Sequence, residues 1–406
     1  MKIQSALEFL TLNARWLAAG GVLTFLSSFG QTFFISVFAG EIRETFGLSH
    51  GEWGGLYSLG TMVSAVVMVW AGVATDVFRV RLLGPLVLAG LVVACLVMGL
   101  NTWVWALPFS VFLLRFFGQG MSSHLAMVAM ARWFTATRGK ALSIATLGFA
   151  VGEALLPLAF VTAMTVVHWQ TLWIICAGIC ALGIPILTML LRHERTPQSL
   201  AQSNSSTGME GRHWTRGEAL RNPLFWVVVP AILGPSAFVT ALFFHQVHLA
   251  EVKGWAHIEL VSLFPVYTVA GIVAMLATGW ALDKFGTARL MPFYMLPIVG
   301  GFLCFASGNT ALAAFAGFVL VGITSGANAT LLPAFWADFY GTAHIGAIKA
   351  LATAVMVLGS AIGPAITGAL IDFGVGIEEQ FVGVAVYFVG VSALTAWGVS
   401  KAAKTL

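Results

Sequence analysis

Apolar residues in this chain do not alternate with polar ones, and they do not form the narrow stripe of a soluble amphipathic helix. They come in runs of about 20, the length that carries an α-helix across a bilayer. Runs at 16–38, 54–75, 83–101, 106–130, 141–166 and 171–191 are followed by a polar stretch, Arg192–Asn222. Six more follow at 223–248, 259–282, 290–308, 310–334, 346–371 and 381–400. In hydrocarbon a helix satisfies its own backbone polar groups, so the pattern predicts an all-α membrane protein with twelve transmembrane helices. The expected organisation is a six-helix bundle at 1–191, a linker at 192–222 and a second six-helix bundle at 223–406. Within the linker, residues 198–208 are rich in Ser, Gln and Gly, a flexible composition. Thr215 and Glu218 stand at capping-box spacing, which predicts a short surface helix ahead of the seventh span.

Composition excludes the alternatives. Of 406 residues 59% are apolar and 9% charged, against roughly 25% charged in a soluble domain. Twelve spans leave no room for an attached soluble catalytic domain. The net charge of +4 comes from basic residues that do not cluster on one face, so nucleic acid is not an expected partner. Cys95, Cys176, Cys180 and Cys304 all lie inside apolar runs, which predicts buried thiols. The first apolar run is too long for a signal-peptide core and reads as a retained first helix. Of the 20 Lys and Arg residues, all but Arg43, Lys253 and Arg115 fall on the side of the N-terminus. That bias places both termini in the cytoplasm of a multi-pass cell-membrane protein, in the inner membrane if the cell is Gram-negative.

The chain also repeats itself. Gly72 and Asp76 recur as Gly279 and Asp283, 207 residues later, and the same offset relates Gly139 to Gly346, Gly152 to Gly359 and Pro157 to Pro364. One register over two six-span halves predicts two similar bundles about a central axis. Parallel-repeat transporters have that architecture, with substrate bound near the midplane.

Gly279-x-x-x-Asp283-Lys284-x-Gly286-x-x-Arg289 closely resembles the loop motif between spans 8 and 9 of the major facilitator superfamily. Its first-half partner keeps Gly72, Asp76, Arg79 and Arg81, with Arg79 where the second half has Gly286. Arg115-Phe-Phe-Gly118-Gln-Gly120 resembles the family's span-4 arginine motif. Trp133-Phe-x-x-x-Arg138-Gly139-Lys140, leading into Gly148-x-x-x-Gly152, is similar to the span-5 signature of the monocarboxylate and oxalate/formate branch. The resemblance implies the twelve-helix fold and a gating role for the two loop motifs, whose acids meet a helix N-terminus in one state of the cycle. A helix N-terminus is worth about 0.3–1 kcal/mol to a nearby anion.

Within the spans, charge is scarce and therefore informative. Arg115 costs roughly 2.5–3.5 kcal/mol at mid-membrane even on lenient scales, so it should face a polar cavity or a carboxylate. On a regular helix Gln119 and Ser122 share its face, and His124 lies opposite. Glu153, in the middle of span 5, is matched by Ser360 in the repeat, so bundle symmetry does not require an acid there. Three readings stand: protonation of Glu153 frees Arg115 for an anionic substrate, the two form a fixed structural pair, or Glu153 is a neutral acid hydrogen-bonded to a neighbour. The Gly148/Gly152 and Gly359/Gly363 ridges are expected to let helices approach closely. Ser27 with Gln31, and Thr324 with Asn328, are expected to share helix faces, while Tyr57 and Tyr267 are candidate cavity residues. His245 and His248 are placed at the outer end of span 7 as exposed histidines. Lys349 either lines the cavity or snorkels to the interface.

Span 8 holds no Lys or Arg, which argues against a dicarboxylate. No Walker sequence, metal-ligand cluster or nucleophile motif appears, so neither an enzyme nor a bound cofactor or metal is expected. The sequence predicts a monomeric secondary transporter that moves a small organic anion, a monocarboxylate, with protons by alternating access. The alternative is a proton-antiporting exporter of amphipathic compounds. The expected substrate-binding residues are Arg115, Gln119, Gln31, Tyr57, Tyr267 and Asn328, with Glu153 carrying the proton.

Overall fold

The computed structural model describes residues 2–72, 74–134, 137–193, 207–341 and 344–405. Among these, eleven helices are long and apolar enough to cross a membrane, and a twelfth apolar helix is shorter. In the first half they are α1 (Lys2–Ser27), α2 (His50–Ala71), α3 (Val80–Gly99), α4 (Val104–Trp133), α5 (Arg138–Met164) and α6 (Trp169–Leu190). In the second half they are α7 (Pro223–Phe244), α8 (Phe264–Phe285), α9 (Leu296–Ser307), α10 (Ala311–Tyr340), α11 (Ile345–Asp372) and α12 (Ile377–Ala402). The short one is α9, where a continuous run at 290–308 was expected.

By contacts the chain divides into two compact units, 1–48 with 56–203 and 49–55 with 204–406. The first turn of α2 therefore belongs to the second unit, although the rest of that helix belongs to the first. Much of the expected linker, residues 194–206, lies outside the described residues. Beyond it, Thr215 does close a capping box. Its amide donates to Glu218 Oε2 at 2.8 Å, and its hydroxyl accepts from the Glu218 amide, starting the helix Arg216–Arg221.

The repeat read from sequence extends to backbone detail. In the first unit α1 lies along α5 and α3 along α6; in the second α7 lies along α11 and α9 along α12. The glycine ridges explain the first member of each set. A Cβ on Gly152 would stand 2.9 Å from Ser28 Cβ and 3.5 Å from the Phe25 carbonyl oxygen. A Cβ on Gly359, its repeat mate, would stand 3.2 Å from Ser236 Cβ and 2.7 Å from the Leu233 carbonyl oxygen. Each glycine presses onto a serine and the carbonyl three residues before it, the second contact falling one residue beyond the 207-residue offset. The short helices Ala39–Phe46 and Gln246–Lys253 also stand 207 residues apart, and both close on a left-handed glycine, Gly47 (φ 65°) and Gly254 (φ 67°).

The largest departure from the hydropathy pattern is in the first span. Instead of one helix over 16–38, α1 ends at Ser27 and a 3-10 turn covers Ser28–Gly30. Gln31 is then extended (φ −88°, ψ 153°), and a one-turn helix follows at Thr32–Ile35. Local chemistry favours the break. The Ser27 hydroxyl donates back to the Thr24 carbonyl at 2.7 Å, in competition with the helical ladder, while the Thr24 hydroxyl donates to the Ala145 carbonyl of α5 at 2.5 Å. Gly30 then brings its backbone against α4, where a Cβ would lie 2.7 Å from Gly118 Cα. Because the helix stops at Ser27, the expected shared face of Ser27 and Gln31 does not exist.

Candidate functional site

The buried charge of the first unit is built around that break. Opposite it, α4 is not regular: Arg115–Ser122 form a π-helical segment. Such segments widen the turn, expose backbone groups and concentrate at functional sites. Two glycines make this one possible, since a Cβ on Gly118 would lie 2.6 Å from Gly30 Cα. The expectation that Gln119 and Ser122 follow Arg115 on one regular face is corrected by this register. Ser122 is fully buried, with no hydrogen-bond partner for its hydroxyl, whereas Gln119 is only half-buried.

Arg115 sits at the start of the π segment with 2% of its surface exposed. Its Nη1 donates to Thr32 Oγ1 at 3.1 Å and to the Gly30 carbonyl at 3.4 Å, while the Tyr57 ring lies 5.6 Å from its Cζ. Nε has no partner. The hydrogen-bond partners of this guanidinium are thus neutral oxygens. Tyr57 is fully buried, and its hydroxyl shares a 2.6 Å hydrogen bond with Thr32 Oγ1. Thr32 is held in place by its neighbour Phe34, whose ring packs edge-on against Phe160 at 4.9 Å and Trp173 at 5.5 Å. Sequence reasoning named Arg115 and Tyr57 but missed Thr32, because the apolar run around it read as unbroken helix.

Two other predicted residues border the same turn. Gln31 is 9% exposed, and its carbonyl accepts from the Phe34 and Ile35 amides. Glu153, also 9% exposed, lies near the middle of α5, next to the Gly152 that packs on Ser28. In the second unit the Tyr267 hydroxyl donates to Ser325 Oγ at 3.0 Å. One turn on, Asn328 Oδ1 is buried without a partner, as is Thr324 Oγ1. These are neutral groups, whereas the first unit carries Arg115 and Glu153.

The loop motifs are held by residues that the sequence reading passed over. In the second unit Gly286 (φ 74°) makes the turn between α8 and the short helix Thr287–Leu290, a conformation that favours glycine. The Thr287 hydroxyl bonds Asp338 near the end of α10. Asp283, Lys284 and Arg289 are exposed, and Gly279 has open space beside it. In the first unit Arg132 near the end of α4 donates to the Thr75 carbonyl at 2.5 Å, so a different pair ties the end of α4 to its loop. Arg79 is exposed and caps α3 at its N-terminus, and Arg81 donates to the Arg192 carbonyl at 3.0 Å. Gly72 ends α2 near the His124 ring. The side chain of Asp76 lies outside the described residues. Lys349 is half-buried in the second turn of α11. His245 and His248 were both expected to be exposed, but His245 is 3% exposed and lies 3.1 Å from the Pro364 carbonyl through Nε2, and His248 is half-buried.

The sequence profile of the Major Facilitator Superfamily matches residues 20–364. The chain belongs to that superfamily. Its membership and its apolar helices make it a multi-pass membrane protein of a transporter superfamily. The riboflavin transporter MCH5 of Saccharomyces cerevisiae is 24% identical over 292 residues, which is 67% of this chain. The match spans 55% of the length of that relative. Among solved structures, a bacterial homologue of the human lysosomal transporter Spinster aligns with a TM-score of 0.69 and 17% identity, over 97% of this chain and 98% of that one. The nucleoside transporter NupG aligns with a TM-score of 0.70 and 14% identity, over 96% and 99%. At these identities the two structures speak for the fold of this transporter and not for its cargo.

Proposed function

We propose that this transporter moves a small organic anion, a monocarboxylate, together with protons by alternating access. The observation that carries this is Arg115: a guanidinium almost wholly buried in a transmembrane helix, bonded to neutral oxygens, with Nε still unmet. A charge held there at a cost of several kcal/mol on insertion scales is an expected anchor for an anion entering the membrane interior. Its planar fork matches a carboxylate with two hydrogen bonds.

Glu153 supplies the proton step. It borders the same turn of α1, and as a carboxylate it competes with an anionic cargo for Arg115. Protonated, it leaves the arginine to the cargo. Anion and proton then travel together, and the loop motifs at Gly72, Asp76, Arg79 and Arg81 and at Gly279, Asp283, Lys284, Gly286 and Arg289 act as gates remote from the cargo. We place both termini in the cytoplasm on the strength of the Lys and Arg distribution.

The test is uptake into proteoliposomes from a panel of acetate, lactate, pyruvate and benzoate, with and without an inward proton gradient. Accumulation of a panel member that collapses when the gradient is dissipated supports the proposal. Counterflow of protons against lipophilic compounds, with no anion uptake, would instead favour the proton-antiporting exporter.

A further inference from the structure

The Thr32 hydroxyl touches both the buried cation and the buried phenol of this site. Oγ1 accepts from Arg115 Nη1 at 3.1 Å and shares a 2.6 Å hydrogen bond with the Tyr57 hydroxyl. It stands where the chain has left the helix: α1 has ended, Gln31 is extended, and the aromatic packing of Phe34 fixes the next turn. A hydroxyl on a continuous helix would bond its own backbone. Here Thr32 is the first residue of its turn, with extended Gln31 before it, so its hydroxyl is turned to Arg115 and Tyr57 instead.

We propose that Thr32 is a positioning residue that competes with the cargo carboxylate for Arg115, setting how tightly the anion is held and how readily it leaves. This rests on the anion reading above. A guanidinium offers five N–H donors and no acceptor, and a buried donor left unmet is costly. With Thr32 present, Arg115 has a neutral oxygen to return to when the anion departs. A carboxylate is the stronger acceptor, because hydrogen bonds to an ionised partner are roughly twice as strong as neutral ones. An anion that takes the Nη1 edge therefore displaces the hydroxyl, and Thr32 then has Tyr57 as its remaining partner. The exchange limits affinity and keeps the site from becoming a trap. A transporter needs that property, because its cargo must leave on the far side.

The sign of the expected effect is opposite to that of ordinary damage. Thr32→Val keeps the branched shape but removes the acceptor, so Nη1 joins Nε as a donor for the anion to satisfy. Affinity should rise on the order of ten-fold, the scale set by one unmet buried donor. Maximal transport should fall with it, because release is slowed. Thr32→Ser restores the hydroxyl and should behave as wild type. The experiment measures binding and saturable uptake of the acetate, lactate, pyruvate and benzoate panel by wild type, Thr32→Val, Thr32→Ser and Arg115→Lys in proteoliposomes.

Tighter binding with lower maximal rate in Thr32→Val, reversed in Thr32→Ser, supports the proposal. Weaker or unchanged binding in Thr32→Val, in a panel member whose binding Arg115→Lys does reduce, overturns it while leaving the anion reading intact. Wild type that binds no panel member, or binding indifferent to Arg115→Lys, removes the anion reading and this role with it.

Discussion

Asp372 accepts a hydrogen bond from the Gly51 amide at 2.8 Å, within the second unit. The same carboxylate accepts from the Ser49 hydroxyl at 2.6 Å and the His50 amide at 3.2 Å. The last residue of α11 thereby satisfies the open N–H groups at the start of α2, where the helix macrodipole also favours an anion. Close approach makes it possible, since a Cβ on Gly51 would lie 3.2 Å from Ala369 Cα. Asp372→Asn keeps the size but removes the charge and one acceptor. Hydrogen exchange at His50 and Gly51 should quicken by roughly five-fold or more, from the loss of about 1–2 kcal/mol of local charge-assisted bonding. Amides in α9, remote from the cap, should keep their rates. Unchanged exchange at the two amides would show that the cap does not hold this turn.

The glycine ridges make a sharper stability forecast than composition does. A Cβ on Gly363 would lie 2.8 Å from the Ala237 carbonyl carbon and 3.0 Å from Ala237 Cα, so backbone would have to move. Gly178 in α6 has nothing within 4 Å. Gly363→Ala should destabilise the protein by about 1–3 kcal/mol through overpacking, while Gly178→Ala should be neutral or slightly stabilising. Thermal unfolding in detergent, read side by side, checks the difference. Equal effects would remove the close-packing account of α7 and α11.

The capping box carries the pH dependence. Hydrogen bonds from the Thr215 amide and hydroxyl, and then the Arg212 guanidinium, hold the Glu218 carboxyl below its ordinary value of 4.5. A lowered folded-state pKa means that the stabilisation is fully present above the ordinary value and is lost as pH falls through the lowered one. Amides of Arg216–Arg221 should therefore keep their protection at neutral pH and lose it on acidification below 4.5. Thr215→Ala should remove most of that dependence. Exchange measured from pH 3 to 7 on the two proteins decides it, and identical profiles would refute the box as its source.

How much of this was legible in the sequence depends on which physics each feature uses. Transfer energy over about 20 residues located the spans, and a constant offset of 207 found the repeat that later appeared as matched contacts at Gly152 and Gly359. The break at Gly30 and the π segment at Arg115–Ser122 were invisible, because Gly, Ser and Thr inside an apolar run keep its hydropathy while changing its backbone register. Thr32 was lost with them. Asp338 and Asp372 were passed over for another reason: an acid near a helix end looks alike whether it meets solvent, a threonine hydroxyl or another helix's amides. The scarcity of charge inside the spans found Arg115 and Glu153, and Tyr57 was a candidate beside them, but only folding brought Arg115 and Tyr57 to one hydroxyl.

Glu153 separates coupling from cargo binding. Glu153→Gln mimics the protonated acid, so it should abolish accumulation driven by a pH gradient and leave exchange of preloaded anion intact, because the cargo itself then pairs with Arg115. Counterflow and gradient-driven uptake, measured on the same vesicles, provide the test. Full accumulation by Glu153→Gln would take the proton role away from this residue.

Arg115 bears the central claim most directly, and anion binding in single and double variants measures it. Removing one partner of a buried charge pair typically costs about 2–5 kcal/mol, so Arg115→Ala should abolish binding of the panel anions. Arg115→Lys, which keeps the charge but loses the fork, should weaken binding by ten-fold or more, the equivalent of about 1.4 kcal/mol or more. Arg115→Ala combined with Glu153→Gln should give a folded protein that still fails to bind anion, measured by scintillation proximity with labelled lactate, pyruvate, acetate and benzoate. Normal binding by that double variant would contradict the account, because it would mean that the arginine serves only to balance the acid.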